Sequence, residues 1–252
     1  MVHGSGLSPA TWRPLHSALQ EAGYSDEAIA AVALQPNDGD NALAASGPIA
    51  AAVELALDAA ARRARAAGCE PASRVDLVAH SMGAFSARWY AAKLRPERVR
   101  ILLGVAPSNH GTDALCGHRG TGNVQMCPSF DSTPGSLQAR LNGTNAAPLD
   151  ATPYGLGLDA DGAARIAPDA TRAIVYLTVR LAEDRWIRPA ESAILDGAGG
   201  VAWPALPSHA RQTTAGNVLW GRAVEHDALP QDPELIDAVV SLLTTAPQQP
   251  GN

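Results

Sequence analysis

The chain has 252 residues, 46% of them hydrophobic, and a mild net charge of −6. That is enough for one large α/β domain and short for two, so residues 1–252 read as a single domain. Lys93 is the only lysine and no basic stripe occurs, which excludes a nucleic-acid partner; no apolar run approaches the roughly 20 residues of a membrane span.

The chain opens on Met1-Val2 and enters His3-Gly4-Ser5-Gly6 with no signal peptide and no full strand ahead. The expectation is that a leading strand before His3 is missing, the numbering starting inside a longer precursor; its loss would leave a gap or an exposed edge in the sheet. Pro9 to Ala22 reads as a helix, with Ser8 as N-cap and Gly23 as stop, and with Trp12, Leu15 and Leu19 on its core face. Ile29 to Leu34 reads as a short strand. Gly47 to Ala67 reads as an Ala-rich helix ending at Gly68, its last turns carrying Arg62, Arg63 and Arg65 in favourable register with the helix dipole. The strand Val75–Ala79, a helix over Gly83 to Leu94 and the strand Val99–Val105 follow. Residues 107–168 break this rhythm, being rich in Gly, Pro, Asn, Ser and Thr. They read as a cap-like insertion over the ligand edge of the sheet, against the alternative of a surface excursion remote from the chemistry. Thr171 to Val179 restores a strand, Val201 to Trp220 holds one more, and Pro233 to Thr244 is an amphipathic closing helix. Strands alternating with helices imply a mostly parallel sheet covered on both faces.

The most informative stretch is Val75-Asp76-Leu77-Val78-Ala79-His80-Ser81-Met82-Gly83. An apolar strand stops at a serine and a helix begins at once, which is the setting of a nucleophile elbow. The turn admits only small residues two positions either side of the serine, here Ala79 and Gly83, with Ala79 standing where Gly is commoner. The bland alternative makes Ser81 a helix N-cap. A serine hydroxyl needs a base, and the base an acid that fixes its tautomer; in this kind of fold the chain order is serine, acid, histidine. Asp184, after the strand that follows the insertion, suits the acid, with Glu183 as competitor. His226, ahead of the last helix, suits the base, with His209 as rival; His80 and His16 are placed wrongly, and Asp76 reads as structural. The backbone N–H groups of Met82 and Ser5 are the expected oxyanion donors, Ser5 because His3-Gly4 has the form of an oxyanion loop. Cys116 and Cys127 suit a disulfide; the alternative is zinc held with His118, and Cys69 reads as a free thiol.

With these residues in hand, the chain resembles the bacterial class 2 lipases, secreted members of the α/β-hydrolase fold. The likeness is strongest from Val75 to Thr112 and includes Ala106-Pro107-Ser108-Asn109-His110-Gly111-Thr112; it continues weakly through Pro134-Gly135-Ser136, the Asp184 loop and Glu225-His226-Asp227-Ala228-Leu229. The stretch from Asn145 to Pro168 matches no motif. The resemblance implies lipase- or esterase-type hydrolysis through an acyl-enzyme, with Ser81, Asp184 and His226 as triad and His110 beside the pocket rather than acting as base. It also implies no cofactor and no metal, an extracellular location, and a small-molecule or lipid ester as partner, with transient lipid-interface contact and no obligate protein partner. The Ala-His-Ser-Met-Gly box equally resembles extracellular polyhydroxyalkanoate depolymerases. Further alternatives are an acyltransferase, or an inactive hydrolase-fold binding protein or fragment.

Overall fold

Short runs of Val, Leu and Ile bounded by polar or Gly/Pro-containing turns build the centre of the structure. In the computed structural model, residues 1–143, 174–195, 203–214 and 216–245 are described. Among them five strands form one sheet in the order β1-β2-β3-β5-β4, with β1 at Val75–His80, β2 at Val99–Val105, β3 at Val175–Leu181, β4 at Ala210–Thr214 and β5 at Asn217–Trp220. β1, β2, β3 and β5 run parallel, and β4 pairs antiparallel with β5 at the edge. The region expected to hold one strand therefore holds two.

The side chains of each strand alternate between two cores. Leu77, Ala79, Leu102 and Tyr176 point to one, and Val78, Ile101, Leu103, Leu177 and Val179 to the other. This is the period-two pattern of a sheet buried on both faces. Helices α1 (Arg13–Glu21) and α7 (Pro233–Thr245) cover the second face through Leu15, Leu19, Leu235, Val239 and Leu242. The first face is covered by α2 (Asn41–Ala44), α3 (Ala50–Ala67) and α4 (Met82–Trp89), through residues including Val53, Leu57 and Phe85.

Several boundaries differ from expectation. The first helix opens as a 3-10 turn, Pro9–Trp12, and Ser8 caps it through its carbonyl rather than its hydroxyl. The second begins at Asn41, where Asp40 Oδ1 accepts the Leu43 N–H at 2.8 Å, and passes through a π turn, Ala45–Ile49, before α3. Pro48 lacks an N–H to offer the preceding turn, and the widened π turn accommodates it. The whole Asn41–Ala67 segment is 27 residues long and apolar enough to cross a membrane by length and composition, contrary to the sequence reading. Here it is a layer on the sheet. Ile29–Leu34 is not a strand: Val32 makes a single parallel bridge with Val2, which bridges Ala79 on its other side.

The inserted region leaves the C-terminal end of β2, next to the elbow strand. Its described part, to residue 143, contains α5 (Thr121–Gln125) and α6 (Leu137–Asn142), and the disulfide Cys116–Cys127 with Cα atoms 5.2 Å apart. The bond uses both thiols that zinc would have needed. Cys69 is free and exposed, as expected. The expectations for Asn145–Pro168 and the first residues of the Thr171–Val179 strand lie outside the described residues.

Candidate active site

Ser81 sits where β1 gives way to α4, with φ 53° and ψ −125°. A non-glycine residue in that region carries strain of about 1–3 kcal/mol, which surrounding contacts must hold in place. Those contacts are present. The Ser81 N–H donates to the Val105 carbonyl at 3.1 Å; its own carbonyl accepts from Ala84 N–H at 3.0 Å and from the Ser108 hydroxyl at 3.2 Å. The need for small flanking residues is also physical: a Cβ on Gly83 would lie 2.2 Å from the His3 carbonyl oxygen. Ala79 is fully buried beside Val2 and is tolerated.

His226 opens the turn that leads into α7, and its Nδ1 lies 2.8 Å from Asp184 Oδ2. A carboxylate can only accept, so Nδ1 carries the proton and Nε2 is left as the basic nitrogen. Both side chains are about 2% exposed, so the pair works in a low dielectric. The other Asp184 oxygen accepts the N–H groups of Trp186 at 2.8 Å and Ile187 at 3.0 Å, which fixes the carboxylate plane. Of the competitors, Glu183 is exposed, while His209 lies against Glu234 and Trp220. His16 pairs with Asp26, and Asp76 takes a two-pronged contact from Arg100.

His80, the residue before Ser81, packs against His226. Its ring lies 4.6 Å from that of His226, centroid to centroid, and its Nε2–H donates to the His226 carbonyl at 3.1 Å. Burial, and then the neighbouring His226, hold its pKa well below the ordinary value, so it stays neutral. His80, His226 and Asp227 bring three donor atoms within 4.8 Å of one another. The hydrogen bonds just described already engage one nitrogen of each ring, and a structural metal centre takes four ligands.

The His3-Gly4 loop lies directly beside the serine: a Cβ on Gly4 would be 2.9 Å from Ser81 Cβ. Leu34 N–H donates to His3 Nε2 at 3.1 Å, so Nδ1 bears the proton and meets the Gly4 carbonyl at 2.9 Å. Burial lowers the His3 pKa, consistent with this neutral form. A turn closed by Leu7 N–H to the Gly4 carbonyl at 3.2 Å, with Gly6 at φ 72°, carries Ser5 past the elbow. That bond leaves the Ser5 amide unspent. Met82, the first residue of α4, has an N–H with no partner inside its own helix.

Three supporting residues escaped the sequence reading as individuals. Thr112 is fully buried and joins the insertion to the acid loop. Its hydroxyl donates to the Trp186 carbonyl at 2.7 Å and accepts from Arg188 N–H at 2.9 Å. Ser108 braces the elbow carbonyl, as described. Asn109 Nδ2 donates to the Ala193 carbonyl at 2.7 Å, while its carbonyl takes Arg88 Nη1–H at 3.0 Å and Asn142 Nδ2–H at 3.1 Å. All three belong to the Ala106–Thr112 string, so the signal was visible but the partners were not. His110 donates from Nε2 to the Ile194 carbonyl at 3.0 Å and stacks on Phe130.

A serine on a strained strand-to-helix turn, with a buried histidine–carboxylate pair delivered from later loops, defines the class of α/β hydrolases. The sequence model of the alpha/beta hydrolase family matches residues 1–248, and the chain belongs to that family. No curated protein matches the chain in sequence. Solved structures similar to it include a histidine-to-alanine variant of the pyrethroid hydrolase PytH, at 13% identity and a TM-score of 0.52, covering 97% of this chain and 96% of that one. A second is the lipase BlEst2 of Bacillus licheniformis in mature form, at 12% identity and a TM-score of 0.49, covering 96% and 89%. At these identities the likeness is one of fold.

Proposed function

We propose that this protein is a serine carboxylic-ester hydrolase. Ser81 attacks the ester carbonyl while His226 Nε2 takes its proton, and Asp184 holds the imidazole and stabilises its charged form. The amides of Met82 and Ser5 receive the oxyanion. The alcohol leaves with the proton from His226, and water, activated by the same nitrogen, releases the acid from Ser81. The observation that carries this reading is the 2.8 Å contact between His226 Nδ1 and Asp184 Oδ2, both buried, with His226 packed on the ring of His80, the residue before a serine at φ 53°. It favours turnover over an inactive binding protein, which has no use for a strained serine together with an oriented histidine.

Within this reading, the likeness of the Val75–Thr112 stretch to class 2 lipases supports lipid or other acyl esters as substrates. The insertion after β2 acts as the cap that shapes the acyl pocket. The Cys116–Cys127 disulfide suits an oxidising, extracellular setting. Polyester cleavage is the second reading of the same site, favoured by the Ala79-His80-Ser81-Met82-Gly83 box. The test is Ser81→Ala assayed on p-nitrophenyl acetate, octanoate and palmitate and on a polyhydroxyalkanoate film. Hydrolysis that depends on Ser81 supports the proposal, and undiminished hydrolysis by the variant refutes it. Clearing of the film with little action on the long-chain ester would favour the polyester reading.

A further inference from the structure

The nucleophile and its base come from different parts of the fold. Ser81 follows directly on β1, within the sheet. His226 opens a short turn after residues 221–225, all of which are exposed except the half-buried Val224. Asp184 also stands in a loop, beyond the end of β3. The contact between His226 and Asp184 therefore fixes each side chain relative to the other, and neither relative to Ser81. Proton transfer from the serine needs Nε2 within hydrogen-bond reach of its hydroxyl, so a separate contact has to set the base in register with the elbow.

We propose that His80 is a positioning residue, which ties the main chain of the base to the strand that carries the nucleophile. The inference rests on the serine-hydrolase reading above. The sheet fixes where His80 stands. Its N–H donates to the Val2 carbonyl at 2.9 Å, it pairs with Val105 of β2, and the next N–H, that of Ser81, donates to the Val105 carbonyl at 3.1 Å. From that frame Nε2–H reaches the His226 carbonyl at 3.1 Å. The ring also packs on the His226 imidazole, with centroids 4.6 Å apart and planes tilted by 47°. These two contacts restrain different freedoms. The hydrogen bond holds the main chain at residue 226, and the ring contact blocks one face of the imidazole. Asp184 sets the remaining rotation from the Nδ1 end.

The chemistry of the ring fits this duty and no other on the page. A carbonyl only accepts, so Nε2 bears the proton and Nδ1 is left with a lone pair. That Nδ1 is buried and has no hydrogen-bond partner among the described residues. It faces the oxyanion loop instead: a Cβ on Gly4 would lie 2.9 Å from it. An orphaned buried acceptor is destabilising, and an apolar side chain of similar size would avoid it. What the apolar side chain would lack is the donor at the opposite end of the ring. His80 is fully buried and stays neutral, so it sets no second positive charge beside the imidazolium that forms on His226. One ring thus meets the nucleophile through the chain, the base through Nε2 and the oxyanion loop at Gly4.

The test compares His80→Gln, whose amide nitrogen can stand where Nε2 does, with His80→Leu and His80→Met, which fill the space without a donor. Hydrolysis of p-nitrophenyl butyrate is measured at steady state. The downfield proton resonance of His226 Nδ1–H is followed by NMR, a readout that needs no turnover. The Leu and Met variants are expected to lose kcat about 10²-fold with KM kept within about threefold, and to broaden or lose that resonance. The Gln variant should hold kcat within about tenfold of the parent and keep the resonance. Parent-like kcat and an unchanged resonance in the Leu and Met variants would overturn the proposal. So would equal losses in the Gln and Leu variants, since the ring's bulk rather than its donated bond would then matter, or a change confined to KM. A parent protein that neither hydrolyses the ester nor labels at Ser81 would instead sink the hydrolase reading, and the resonance alone would still decide whether His80 orders His226.

Discussion

Replacing Asp184 by Asn tests the geometry of the base most sharply, because the two oxygens of Asp184 have unequal duties. Oδ1 accepts two backbone N–H groups, from Trp186 and Ile187, and Oδ2 accepts one ring N–H from His226. An asparagine must present its carbonyl to one side and its NH2 to the other. Facing the NH2 toward Trp186 and Ile187 would strand two buried donors, at about 1–3 kcal/mol each. The carbonyl therefore stays with the backbone and the NH2 turns to His226. Nδ1 must then accept, its proton moves to Nε2, and the nitrogen that should deprotonate Ser81 becomes a donor. The expected loss in kcat is about 10³- to 10⁴-fold, or about 4–5.5 kcal/mol of transition-state stabilisation. Unfolding should be little changed, because the retained carbonyl preserves both backbone bonds. The assay is kcat/KM on p-nitrophenyl butyrate, with far-UV circular dichroism melting as control. A loss smaller than tenfold in a folded variant would refute the assignment of Asp184 as the orienting acid.

Thr112→Val keeps the shape of a fully buried side chain but leaves Trp186 C=O and Arg188 N–H without their partner; stability should fall by about 1–3 kcal/mol for each group left unpaired, and Thr112→Ser should recover most of it in urea titrations. Gly4→Ala sets a Cβ 2.9 Å from both Ser81 Cβ and His80 Nδ1, so kcat should drop about 10²-fold through displacement of the oxyanion loop, with Tm falling as overpacking a buried site costs about 1–3 kcal/mol. Acid should destabilise the fold. Burial, and then Arg88, push the His110 pKa down to about 3, whereas the unfolded chain binds that proton near pH 6.5. The stabilisation is fully present above pH 6.5 and is lost as pH falls toward 3, by about 2 kcal/mol at pH 5. The lowered pKa values of His3 and His80 act in the same direction. Tm should therefore decline from pH 7 to pH 5, and a flat profile would contradict the buried neutral state of these histidines.

The elbow was legible because its requirements are local: a β-branched strand, a serine between small residues and a helix start all fall within nine positions. Chain order points to Asp184 and His226 as candidates, and the structure brings their side chains together across 42 residues. What the sequence hid were contacts without local pattern. Thr112 meets Trp186 from 74 positions away, and nothing periodic marks it. The β4–β5 hairpin was read as one strand because Ala210–Thr214 is an edge strand with mostly exposed residues, lacking a clear apolar alternation. Ile29–Leu34 has strand composition, yet among the described residues it pairs through one bridge, Val32 to Val2, and a strand needs a run of such pairs. The Asn41 start of the second helix was missed because Gly47 and Pro48 look like a helix boundary, whereas a π turn carries the helix through them.

The central claim, that Ser81 is a nucleophile activated by His226, is tested most directly with a fluorophosphonate probe and peptide mass mapping. The account predicts a single adduct on Ser81 that forms quickly in the parent protein and at least about 10³-fold more slowly in His226→Ala. Labelling of another residue, or labelling of Ser81 at the same rate without His226, would contradict it.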